Sequence, residues 1–85
     1  MTIVNREGLH ARPAAMFVKT SNRFSSEIWV SKEGEQVNGK SIMGVMMLAA
    51  EHGSVIEVSA EGDDAEEALA ALETLVGSGF ETAET

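Results

Sequence analysis

Apolar positions along the chain change their spacing several times, and each change marks a predicted element. In Thr2-Ile3-Val4-Asn5 an apolar pair between polar ends reads as a short edge-like strand, closed by the turn Arg6-Glu7-Gly8. From Ala11 to about Ser21, the residues Ala11, Ala14, Phe17 and Val18 recur at helical spacing. Pro13 falls in the first turn of that helix, where an N–H has no intrahelical partner to lose. After Ser25-Ser26 the period drops to two. Ile28 and Val30 alternate with Glu27, Trp29 and Ser31, as in a strand with one buried face, and Lys32 to Glu35 turns the chain into a short returning strand, Gln36 to Asn38. A second helix is predicted from Ile42 to about Ala50, capped by Ser41 and ended by His52-Gly53. Ser54 to Glu61 alternates again, with Ile56, Val58 and Ala60 on one face. The last helix begins at Gly62-Asp63-Asp64, where Asp63 and Glu66 have capping-box spacing, and buries Ala68, Leu69, Leu72, Leu75 and Val76. Gly77 and Gly79 stop it, leaving 77–85 as a frayed acidic tail. The predicted order is β-α-β-β-α-β-α, an α+β domain with a mainly antiparallel sheet and its helices on one face.

The 85 residues allow one core, so positions 1–85 are expected to form a single domain. With no cysteine, disulfides, thiolate metal sites and cysteine nucleophiles are all excluded, and stability must come from apolar packing. No run reaches the ~18 apolar residues of a membrane span, and the N-terminus lacks the pattern of a signal peptide, so a cytoplasmic protein without membrane insertion is expected. The net charge of −8 disfavours nucleic acid as a partner. Its distribution is more informative. All six Lys and Arg lie in residues 1–50 beside four acids, whereas residues 51–85 hold ten acids and no Lys or Arg. Anion chemistry therefore belongs to the first fifty residues.

Within them, Gly8-Leu9-His10-Ala11-Arg12-Pro13 puts a nucleophilic imidazole at the start of a helix. Open backbone N–H groups and the positive end of the helix dipole form an anion site there, and Arg12 adds a guanidinium that matches phosphate oxygens. One reading is a histidine that accepts and holds a phosphoryl group. The other is a histidine that merely caps the helix, with Arg12 a solvated charge, and spacing alone does not choose between them.

The second helix has more apolar residues than one buried stripe accommodates. With Val45 and Leu48 inward, Ile42, Met43 and Met46 form an exposed patch of flexible side chains suited to binding several partners, although scattered exposed methionines are also common without function. Ser41 is a helix cap and a possible phosphorylation site beside that patch. His52 reads as a helix-end residue, Trp29 as a partly exposed sheet residue, and Asp63, Asp64, Glu66 and Glu67 as dipole-favoured acids at a helix start rather than metal ligands. No metal or cofactor is expected.

The segments Gly8-Leu9-His10-Ala11-Arg12-Pro13-Ala14, Asn38-Gly39-Lys40-Ser41-Ile42-Met43-Gly44-Val45-Met46 and Ser59-Ala60-Glu61-Gly62-Asp63-Asp64 resemble the HPr family. These are histidine-containing phosphocarriers of the bacterial phosphoenolpyruvate-dependent sugar phosphotransferase system, and the similarity runs from about Thr2 to Val76. The resemblance implies an HPr-like open-faced β-sandwich with a four-stranded antiparallel sheet covered on one face by three helices. It also implies that His10 takes a phosphoryl group on Nδ1 from phosphorylated enzyme I and passes it to an enzyme IIA domain in sugar uptake, with Arg12 positioning the group. Leu9, Ala15, Met16, Lys19, Ile42, Met43 and Met46 match docking positions. Ser41 matches a regulatory serine that an ATP-dependent HPr kinase/phosphorylase modifies in some bacterial lineages.

Members without the histidine act only as regulators, and here His10 is present. Ser78-Gly79-Phe80-Glu81 is closer to the nitrogen-related branch of these carriers, which leaves a regulatory carrier with the same histidine chemistry as the alternative. Two further readings are an acylphosphatase-like hydrolase and a pure interaction module with His10 as a cap. The expected behaviour is that of a carrier, not an enzyme, and of a monomer that must bare one face to two partners.

Overall fold

The computed structural model describes residues 1–81. In chain order it comprises α1 (Ala11–Ser21), β1 (Glu27–Lys32), β2 (Glu35–Asn38), α2 (Ile42–Met47), β3 (Glu57–Glu61) and α3 (Ala65–Gly77). The sheet order is β2-β1-β3, with both pairings antiparallel, so that Val30 stands opposite Val37 on one side and Val58 on the other. Period-two alternation turns Ile28 and Val30 of β1 into the core, while Glu27 is exposed and Trp29 and Ser31 are half-buried on the open face. The helices cover the other face: α1 packs on α2 and α3, α3 on β3, and α2 on β2. Phe17, Ile3, Ile28, Ile56, Leu72, Val30, Val45 and Val76 are fully buried between the layers.

The expected four-stranded sheet is corrected to three strands. Residues 1–4 do run beside residues 53–56, but Thr2 and Val55 form only an isolated bridge. The reason is visible in the backbone bonding. The Ser54 N–H donates to the Glu51 carbonyl inside a turn, so the Ile3 carbonyl takes the Gly53 N–H instead and the ladder loses its register. For the same reason the strand expected from Ser54 begins at Glu57.

Three other boundaries differ. The second helix ends at Met47 rather than near Ala50, because Ala49 takes a left-handed conformation at φ 52°. The capping box at Asp63 does not form. Asp64 is the N-cap of α3, and its carboxylate accepts the N–H groups of Ser25 and Ser26, both at 2.9 Å, together with the Ser26 hydroxyl. A long-range clamp has replaced a local cap. The tail expected over 77–85 is folded where it is described: Gly77 closes α3, the Phe80 N–H donates to the Leu75 carbonyl at 2.9 Å, and the Phe80 ring is 7% exposed within the core. An apolar ring three residues past the glycine that ends the helix gains more from burial than the chain loses by ordering. The remainder of that tail, residues 82–85, lies outside the described residues.

Candidate functional site

His10 is the N-cap of α1, in extended conformation, and its side chain makes no capping hydrogen bond. Its carbonyl accepts the Ala14 N–H at 2.8 Å, the first bond of the helix. Pro13 has no N–H, so the N–H groups of Ala11 and Arg12 are the donors left open at the helix mouth. The imidazole is exposed, as is Arg12 one turn position on. This is a surface anion site with a nucleophile at its edge.

The loop before His10 is held by its own Asn5 and by a segment some forty residues on in the sequence. The Leu9 N–H donates to the Ala50 carbonyl at 2.8 Å, and the Asn5 side-chain amide donates to the Gly8 carbonyl at 2.8 Å. Gly8 sits at φ 72°, and a Cβ there would lie 2.4 Å from the Ala50 oxygen and 2.8 Å from the Glu51 Cα. Only glycine permits that approach. As a result His10 opens onto two shallow depressions. One, about 280 Å³, is lined by Leu9, His10, Met46, Ala49, Ala50 and Glu51. The other, about 350 Å³, is lined by Arg6, Glu7, His10, Glu51 and His52.

The first depression joins the two sequence motifs, since Met46 of α2 and His10 line it together. Ser41 caps α2 as expected, its Oγ accepting the Gly44 N–H at 3.0 Å. Ile42, Met43 and Met46 are exposed, Met43 by 74%. On α1, Ala15 and Lys19 are exposed and Met16 is half-buried against the core. Leu9, expected as a docking residue, is only 2% exposed: it belongs to the core and lines the first depression from below. The residues missed by sequence reasoning are Met47, 66% exposed beside Met43, and Glu51 and Arg6, which share depressions with His10. The excess of apolar residues in 42–48 pointed to Met47. Nothing local pointed to Glu51, which reaches the site only through the Leu9–Ala50 contact.

Among the described residues, no three His, Asp or Glu side chains group to hold a metal ion, and no helix is long and apolar enough to cross a membrane. An α+β domain that offers one imidazole at an open helix mouth, next to a flexible apolar patch, has the form of a group carrier that meets other proteins. Comparison with known proteins specifies which kind. The family described as PTS HPr component phosphorylation site matches residues 1–78. The phosphocarrier protein HPr of Neisseria meningitidis is 51% identical over 78 residues, 92% of this chain and 88% of the relative. The HPr-like protein Crh of Halalkalibacterium halodurans is 55% identical over 67 residues, 79% of this chain and 80% of that one. The crystal structure of HPr-C-His from Thermoanaerobacter tengcongensis superposes with a TM-score of 0.92 at 56% identity, covering 94% of this chain and 90% of that chain. The chain belongs to the HPr family, the phosphocarriers of the phosphotransferase system.

Proposed function

We propose that His10 is the phosphoryl-accepting residue of this carrier. The supporting observation is the exposed imidazole at the mouth of α1, beside the open N–H groups of Ala11 and Arg12. As the phosphoryl oxygens approach, these donors and the Arg12 guanidinium offset their charge without reorganising. The group comes from phosphorylated enzyme I and leaves to an enzyme IIA domain. The chain relays it in the cytoplasm and turns over no substrate alone.

Docking uses the surface that Ala15, Met16 and Lys19 of α1 share with Ile42, Met43 and Met46 of α2, enlarged by Met47. A small apolar patch of unbranched side chains suits brief contact with more than one partner. Ser41 is the regulatory position. Its half-exposed hydroxyl lies next to Ile42 and Met43, so a phosphate added by an HPr kinase/phosphorylase puts about two negative charges on the rim of the patch and weakens docking. The carrier acts as a monomer, which keeps that patch free.

Incubation with phosphoenolpyruvate and catalytic enzyme I, followed by intact-mass measurement, tests the assignment. One acid-labile phosphoryl group is expected on the native chain and none on His10→Ala, with the fold of the variant unchanged. An acid-labile group retained by His10→Ala refutes the assignment of His10. The nitrogen-branch reading predicts the same adduct, but only with the enzyme I of that branch.

A further inference from the structure

The two depressions beside His10 have one other residue in common, Glu51. Its position is determined by the backbone. Ala50 is bonded to Leu9, the Glu51 N–H donates to the Ser54 Oγ at 2.9 Å, and the Glu51 Cα lies against Gly8. Residues 9–10 and 50–51 are therefore neighbours, tied by the Leu9–Ala50 hydrogen bond, and Glu51 is exposed and lines both depressions onto which His10 opens. Arg6 and His52 share the second depression with Glu7 and Glu51, so the fixed positive charge of Arg6 faces two carboxylates there, and a phosphoryl group adds to the negative excess.

From this geometry we infer that Glu51 is a positioning residue that sets the phosphoryl-transfer potential of His10. The inference rests on His10 being the phosphoryl acceptor. In the transfer, the P–N bond of the donor phosphohistidine breaks and its electron pair returns to the donor nitrogen. A new P–N bond forms with the lone pair of the neutral His10 imidazole, whose N–H stays in place, so atoms and charge balance. The phosphoryl group carries about two negative charges on a ring left with one positive charge, so the site gains about one net negative charge beside Glu51. Repulsion raises the free energy of the phosphorylated carrier relative to the free one, which favours handing the group on. For one net charge at a separation of roughly 6 Å in a water-like dielectric the effect is about threefold in the equilibrium, falling to about twofold once 0.1 M salt screens it.

The experiment is the equilibrium ratio of phosphorylated to free carrier at a set phosphoenolpyruvate-to-pyruvate ratio with enzyme I, for the native chain, Glu51→Gln, Glu51→Asp and Glu57→Gln. Glu51→Gln is expected to raise the phosphorylated fraction by about two- to threefold in ratio at low salt, with the difference collapsing at 1 M salt. Glu51→Asp keeps the native ratio. Glu57→Gln, which removes the same charge from β3 on the open sheet, also leaves it unchanged. An unaltered ratio in Glu51→Gln, with His10 phosphorylated in both proteins, overturns the inference. So does a shift that persists at high salt or appears equally in Glu57→Gln. Absence of any phosphoryl group on native His10 is a separate failure, that of the acceptor assignment itself.

Discussion

Replacing Gly8 by alanine tests whether the contact between the loop before His10 and the Ala50–Glu51 segment builds the site. Two costs add. An L-residue at φ 72° costs about 1–2 kcal/mol. The new Cβ would also meet the Ala50 oxygen at 2.4 Å and the Glu51 Cα at 2.8 Å, both backbone atoms that no rotamer change can move aside. Relieving an overlap of that kind costs about 1–3 kcal/mol, and it stretches the Leu9–Ala50 bond, worth about 1 kcal/mol. The reduced freedom of the unfolded chain returns about 0.4–1 kcal/mol. The expected loss is about 3 kcal/mol, or a Tm lowered by more than about 12 °C for a chain of this length. Gly34 supplies the control: it has φ 86°, yet nothing lies within 4 Å of its Cβ position, so Gly34→Ala carries only the conformational cost, about 1 kcal/mol. Urea unfolding of both variants, with hydrogen exchange of the Leu9 amide, measures the difference. Equal losses, with Leu9 still protected in Gly8→Ala, would refute the claim that the close approach at Gly8 holds the loop.

Two further perturbations read other parts of the structure. Hydrogen bonds from the Ser26 hydroxyl, then from the Ser25 N–H, lower the Asp64 carboxyl from 3.8 to about 2, with partial burial opposing them. A lowered carboxylate pKa stabilises the fold above the unfolded value and loses that contribution as pH falls through the folded one, here between about pH 4 and pH 2. Stability measured over that window should fall more steeply for the native chain than for Asp64→Asn, and parallel curves would contradict the clamp. Ser41→Ala removes the acceptor for the Gly44 N–H and should cost about 1 kcal/mol in urea unfolding while leaving acceptance of the phosphoryl group from enzyme I intact. An unchanged midpoint would show that the cap contributes nothing.

Local rules located most of the elements and both motifs. Helical spacing around Phe17, alternation around Val30 and the hydroxyl of Ser41 all led to structures that formed, because each depends on neighbours within a few residues. His10 was legible for the same reason: a histidine just ahead of a proline in the first turn of a helix is a short-range arrangement. The exposed apolar patch was legible as a surplus, since six apolar residues in Ile42 to Leu48 exceed what one helical stripe can bury.

What only the tertiary structure decided concerns partners far apart in the chain. Asp64 occupies the N-cap position of α3, yet its carboxylate turns to Ser25 and Ser26, across 39 and 38 positions of sequence. Leu9 directly precedes the exposed His10 but is buried, because its backbone is tied to Ala50. Phe80 belongs to an acidic, glycine-bounded tail and still enters the core, since a ring responds to the cavity available to it rather than to its neighbours' charge. The fourth strand was lost when the Ser54 N–H found a partner in its own turn. Sequence alone placed His10 at a helix mouth, Ser41 at a cap and Ile28 and Val30 on a buried face, because helix mouths, caps and alternating faces are set by short-range geometry. Folding determined what surrounds that chemistry, Glu51 above all, because a charge beside His10 is placed there by a backbone contact that no local pattern encodes.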